Sequence, residues 1–129
     1  MKYMLMMQGT ESDSRRMGTW PPEAVRDHIR FMIDLNAKLS ADGELVDAQG
    51  LAMPWEARIV KAGPDGTPVV TDGPFPESKE FLAGYWIVEV EDVARAIAIA
   101  AEASTAPGPD GEPLNLAVEV RAIGEAPQV

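Results

Sequence analysis

The sequence predicts an α+β domain in which an antiparallel sheet carries two helices on one of its faces. Three observations lead there. Segments such as 2–8 and 85–91 alternate their side chains at period two and read as strands, whereas 21–41 and 93–103 place apolar residues at helical spacing. Each helical segment is both preceded and followed by a strand, so each is a crossover between strands. Glycine and proline clusters at 63–68, 73–76 and 106–113 punctuate the remainder.

In residues 2–8, Tyr3, Leu5 and Met7 alternate with Lys2, Met4, Met6 and Gln8, so both faces are largely apolar and the strand belongs in the middle of a sheet. Residues 9–20 are polar and read as a loop ending at Trp20, which is either a packing anchor or a cover over a pocket. Pro21 and Pro22 open a helix running to about Ala41. Pro22 suits its first turn, Glu23 complements the dipole, no side-chain cap is visible, and Gly43 stops it. Val25, Ile29, Met32, Leu35 and Leu39 form its expected apolar stripe, and His28 falls near the middle of that stripe.

Residues 44–51 form a short strand that Met53 and Pro54 break, and residues 55–61 form a third strand. The GPDGT turn at 63–67 joins that strand to 68–72 as a hairpin. Pro74 then removes a donor and restricts Gly73, so the ladder ends at about Asp72. Pro76 opens a short helical turn with Glu77 and Glu80 near its positive end and Phe81 and Leu82 as apolar anchors. Residues 85–91 are the next strand, with Trp86, Val88 and Val90 on one face and Tyr85, Ile87 and Glu89 on the other. Asp92 caps the second helix, residues 93–103, whose stripe is Val93, Ala96, Ile97 and Ala100. A loop at 106–113 without periodicity leads to the last strand, 114–123. One domain spans 1–124, and the tail 125–129 is expected to be disordered or exchanged with a neighbour.

Two helices lying between split pairs of strands, with right-handed crossovers, give a ferredoxin-like sandwich with an inserted hairpin. One face of the sheet is then left open and half apolar, and a second copy is expected to cover it, making a homodimer. Glu89, Glu119 and Arg121 interrupt that face, either as surface charges or at a cleft between subunits.

Composition excludes several classes. The 129 residues contain no cysteine, so disulfides, thiolate metal sites and a cysteine nucleophile are out, and a cytoplasmic location fits. Eleven basic against 21 acidic residues leave a net charge of −10, with no basic face for phosphates, so nucleic acid is not an expected partner. The apolar start, KYMLMMQ, is too short for a secretory leader, and no run reaches the ~20 apolar residues of a membrane span. The lone histidine makes a poor metal site, and no cofactor is expected.

The chemistry-bearing candidates are few. His28 is either a half-buried imidazole satisfied by a backbone carbonyl or an acid/base group. Asp72 sits at a strand end, either capping a turn through backbone N–H groups or presented at the mouth of a cleft.

The KYMLMMQG start, ADG followed by GLAMP, and above all TDGPFPESKEFLAGYWIVEVED at 71–92 resemble the YCII-related family, specifically its DGPF-motif branch. The resemblance covers nearly the whole chain. It implies a ferredoxin-like dimeric α/β barrel of unestablished biochemical function, for which a histidine and aspartate pair has been proposed as catalytic. By position in the motif, His28 and Asp72 would fill those roles, while Glu77, Lys79 and Glu80 match charged motif positions and, with Trp20, are candidate ligand-binding residues. Some relatives accompany sigma factors. The helix start WPPE and the loop APGPDGEP depart from many relatives. Two functions follow as expectations: a dimeric accessory or small-molecule-binding domain, or an enzyme in which Asp72 orients His28.

Overall fold

The computed structural model describes residues 1–73 and 79–127. Six strands and three α-helices are built on them: β1 (Lys2–Gly9), α1 (Glu11–Met17), α2 (Pro22–Ala41), β2 (Leu45–Gly50), β3 (Arg58–Ala62), β4 (Pro68–Asp72), β5 (Phe81–Glu89), α3 (Val93–Ser104) and β6 (Val118–Ala122). The main sheet has the order β2-β5-β1-β6 with every neighbouring pair antiparallel, and β3 and β4 form a separate two-stranded sheet. The four strands do not close into a barrel, since β2 and β6 are the two outer strands. As its two apolar faces require, β1 is central.

The core lies between α2, α3 and one face of the sheet. Tyr3, Leu5 and Met7 of β1 and Trp86 and Val88 of β5 meet Leu35 and Leu39 of α2 and Ala96, Ile99, Ala100 and Ala103 of α3. The alanines let α3 lie close to the sheet. On the opposite face, Met4, Met6, Tyr85 and Ile87 remain half-buried.

Both helices are rotated relative to the expected stripes. In α2 the inward positions are Ala24, His28, Phe31, Met32, Leu35 and Leu39, so Met32, Leu35 and Leu39 of the expected stripe do face inward, while Ile29 is 50% exposed. In α3 they are Ala96, Ile99, Ala100 and Ala103, and Val93 and Ile97 are exposed. Several branched residues on each helix widen the apolar arc, so spacing alone did not fix its centre.

The helix ends follow the expected chemistry. No side chain caps α2 at Pro21. Its C-terminus closes in a Schellman arrangement, with Glu44 N–H donating to Leu39 O at 2.9 Å and Gly43 N–H to Ser40 O at 3.0 Å, around Gly43 at φ +73°. Asp92 Oδ1 accepts from Arg95 N–H at 3.0 Å to cap α3. Arg95 also grips Glu44 through two hydrogen bonds of 2.8 Å, which ties the start of β2 to α3.

Four boundaries differ from expectation. Residues 11–17 are helical where a loop was expected: Thr10 Oγ1 accepts from Asp13 N–H at 3.0 Å, and Glu11–Arg15 and Asp13–Arg16 pair along the surface. Pro54–Glu56 is a 3₁₀ turn, so β3 starts at Arg58 and Trp55 stands 45% exposed. β5 begins at Phe81, which places Phe81 and Leu82 in a strand instead of anchoring a helical turn, whereas Pro76 and Glu77 lie outside the described residues. β6 is shorter than 114–123 because Asn115 takes φ +52°, incompatible with a ladder.

The 106–113 loop is tied at its base: Leu114 N–H donates to Ala106 O at 2.9 Å and Gly108 N–H to Glu112 O at 2.8 Å. No helix among the described residues is long and apolar enough to cross a membrane.

Candidate functional site

A cavity of about 490 Å³ opens at the end of the sheet where β1 finishes and β5 begins, on the face that carries α2. Its roof is α1 with Trp20, and its back wall is His28, Met32 and Asn36 of α2, one turn apart. The floor is the end of β1, β2 and β5, and the sides are residues 51–54 and Pro109, Leu114 and Leu116. The lining is largely apolar, with a few polar groups placed around it.

His28 is the best defined of these. Its Nδ1 lies 3.0 Å from Pro107 O, a carbonyl delivered by the tied loop after α3. Because a carbonyl oxygen only accepts, Nδ1 carries the hydrogen. The Trp20 indole meets the imidazole edge-on, with centroids 5.7 Å apart and planes at 79°. The structure thus brings together two of the residues singled out in the sequence. Both open readings of Trp20 hold at once, since it packs on His28 and lines the cavity.

The other candidates lie elsewhere. Asp72 ends β4, is exposed, pairs across the hairpin with Arg58, and does not line the cavity. The residues whose N–H groups would donate to its carboxylate in an Asx-type turn lie at 74–78, outside the described residues. Lys79 and Glu80 are exposed, in the segment just before β5, and do not line it either. Glu77 lies outside the described residues. The cavity described is inside one chain and on the helix-bearing face, not the open face where an intersubunit cleft was expected.

Sequence reasoning missed two contributors, Asn36 and α1, and one side-chain pair on the far face of the sheet. Asn36 Oδ1 accepts the Trp86 indole N–H at 2.7 Å, and its place two turns beyond His28 on the inward side of α2 was a usable signal. Tyr85, whose backbone edges the cavity floor, sends its side chain to the opposite face of the sheet and donates its hydroxyl to Asp47 Oδ2 at 3.0 Å; that hydrogen bond, with partial burial and the adjacent negative charge, holds the phenol above its ordinary range. The roof itself, α1, is braced from outside: the Arg15 guanidinium stacks over the Trp55 ring at 5.1 Å. Among the described residues, no group of three or more metal-ligating side chains converges.

Fold and cavity define an α+β domain with a mainly apolar site that opens at one end of the sheet. The model of the YCII-related domain matches residues 1–108, and the chain belongs to that family, whose biochemical function is unknown. No curated protein matches the sequence.

Proposed function

We propose that this chain is a small-molecule-binding domain whose ligand occupies the cavity under α1. One observation carries the reading: about 490 Å³ of space, mainly apolar and fitted with a few fixed polar groups, lies within the roughly 300–1,000 Å³ typical of metabolite sites. The catalytic alternative is not favoured, because Asp72 does not line the cavity that holds His28.

The wider setting is a proposal of the same kind. The TDGPF segment at 71–75 supports the DGPF-motif branch, and the order β2-β5-β1-β6 with two split crossovers supports a ferredoxin-like arrangement. Half-buried Met4, Met6 and Ile87 on the face away from the helices support a homodimer with an intersubunit cleft, and the absence of cysteine supports a cytoplasmic location.

The test is a thermal-shift screen of a metabolite library on wild type and Trp20→Ala, since a ligand of the folded state raises its melting temperature by mass action. Hits on wild type that weaken in Trp20→Ala are expected, and a screen without hits would sink the proposal. For assembly, light scattering that reports a 13.9 kDa particle at micromolar concentration overturns the dimer.

A further inference from the structure

The geometry points to a chemical class for the ligand: an uncharged, ring-containing molecule that donates one hydroxyl or N–H hydrogen to His28 Nε2. This rests on the cavity being the binding site.

Because Nδ1 spends its hydrogen on Pro107 O, the neutral imidazole is fixed in the tautomer whose Nε2 is a bare acceptor. Nε2 has no hydrogen-bond partner among the described residues. Neither is it sealed away, since no buried side-chain nitrogen or oxygen among those residues lacks a partner. It is therefore accessible, and His28 is among the residues that line the cavity. The loop carbonyl and the edge-on Trp20 ring hold the imidazole from two sides. A ligand that docks against it meets a fixed acceptor, and only a donor completes that acceptor.

The walls settle the remainder of the class. Trp20, Phe81, Met17, Met32 and Met53 surround the space with ring faces and thioethers, which favour a flat apolar body. An anion is disfavoured twice: the chain carries a net charge of −10, and the guanidinium at the cavity, Arg16, is already paired with Asp13 at 2.8 Å. A carboxylate or phosphate would meet no unpaired lysine or arginine among the described residues that line the cavity.

Two measurements test this. With one histidine in the chain, a long-range ¹H–¹⁵N spectrum of the uniformly labelled protein at pH 8 shows one imidazole. The expected pattern is a hydrogen on Nδ1 and a bare Nε2 that shifts on addition of 2-naphthol; a hydrogen on Nε2 overturns the inference and leaves the cavity reading intact. In the second, 2-naphthol and 2-methoxynaphthalene are titrated in parallel; the pair differs in the donor and in one methyl group, whose effect on packing the His28→Phe variant reads separately. A preference of about five- to tenfold for 2-naphthol is expected, the order of one net hydrogen bond, and it should vanish in His28→Phe. Equal binding of both by wild type refutes the donor requirement while supporting a ring-binding cavity. Binding of neither refutes the ring class; if the metabolite screen is also empty, the binding reading falls with it. Should His28→Phe fail to fold, the wild-type spectrum and the wild-type preference decide the matter alone.

Discussion

Gly84 of β5 and Gly50 of β2 face each other across the ladder, and the same substitution at each should move stability in opposite directions. A Cβ on Gly84 would sit 2.9 Å from Gln49 O and 3.4 Å from Gly50 Cα, inside the roughly 3.5–4.0 Å at which nonbonded heavy atoms rest. The obstacle is backbone, so no side chain can swing away to relieve it. β2 is an outer strand and can retreat, which holds the overpacking cost to about 1–3 kcal/mol. Alanine also stiffens the unfolded chain and returns about 0.4–1 kcal/mol. The net loss for Gly84→Ala then centres on about 1.3 kcal/mol. A Cβ on Gly50 meets nothing within 4 Å and needs no left-handed backbone, so Gly50→Ala keeps the entropic gain and should be neutral or stabilising by up to ~1 kcal/mol.

Urea unfolding followed by tryptophan fluorescence reads both. With a slope of roughly 1–3 kcal/mol/M, Gly84→Ala should lower the midpoint by about 0.5–1.5 M at unchanged slope, and lower the melting temperature by roughly 4–7 °C. Gly50→Ala should leave or raise both. If the two variants shift alike, or if Gly84→Ala stays within ~0.5 kcal/mol of wild type, the packing argument at this end of the sheet is wrong.

Glu44 is held below the usual carboxylate range chiefly by its hydrogen bond to Arg95, so its contribution is present above the unfolded value near ~4.3 and is lost as pH falls through the lower folded value. Glu44→Gln should cost about 1 kcal/mol at pH 7 and flatten the acid limb of a stability-versus-pH curve; an unchanged limb refutes the assignment. Tyr85 behaves in the opposite sense, since accepting its hydrogen keeps Asp47 favourable only while the phenol is protonated. That contribution fades as pH climbs past ~10, and an ultraviolet titration of Asp47→Asn should show one tyrosine ionising earlier than in wild type. Trp86→Phe removes an indole 5% exposed and the donor to Asn36, and calorimetry should report a loss of about 1–3 kcal/mol.

The order of strands and helices was legible because each element carried its own period, and β1 announced its central place by being apolar on both faces. The helix faces were less so, since Ile29, Ile33 and Ile97 offered a second apolar strip that sequence spacing cannot distinguish from the buried one. His28 and Trp20 were legible as residues and illegible as a pair, for the imidazole is held in place by a carbonyl 79 positions away. The roof was hidden for a different reason. α1 has no buried residue and hence no apolar periodicity; its signals were the Thr10 cap and two surface ion pairs, which weigh little in a polar, glycine-flanked stretch.

The floor of the cavity gives the sharpest way to separate binding from folding. Gly9 and Met7 share a face of β1, Gly84 pairs with Met7, and Gly50 pairs with Gly84, so all three glycines take helix-side positions at one end of the sheet. None has positive φ, unlike Gly43, Gly66 and Gly111, so their value lies in the missing side chain and not in backbone freedom. Gly9, Gly50 and Gly84 all line the volume where the ligand is placed, and of the three only Gly50 would put a Cβ into space with nothing within 4 Å. Gly50→Leu, whose Cβ enters open space, should therefore keep the wild-type melting temperature within about 3 °C and abolish the thermal shift caused by every library hit. Hits that still shift the melting temperature of this variant by the wild-type amount would show that ligands bind somewhere other than the glycine floor.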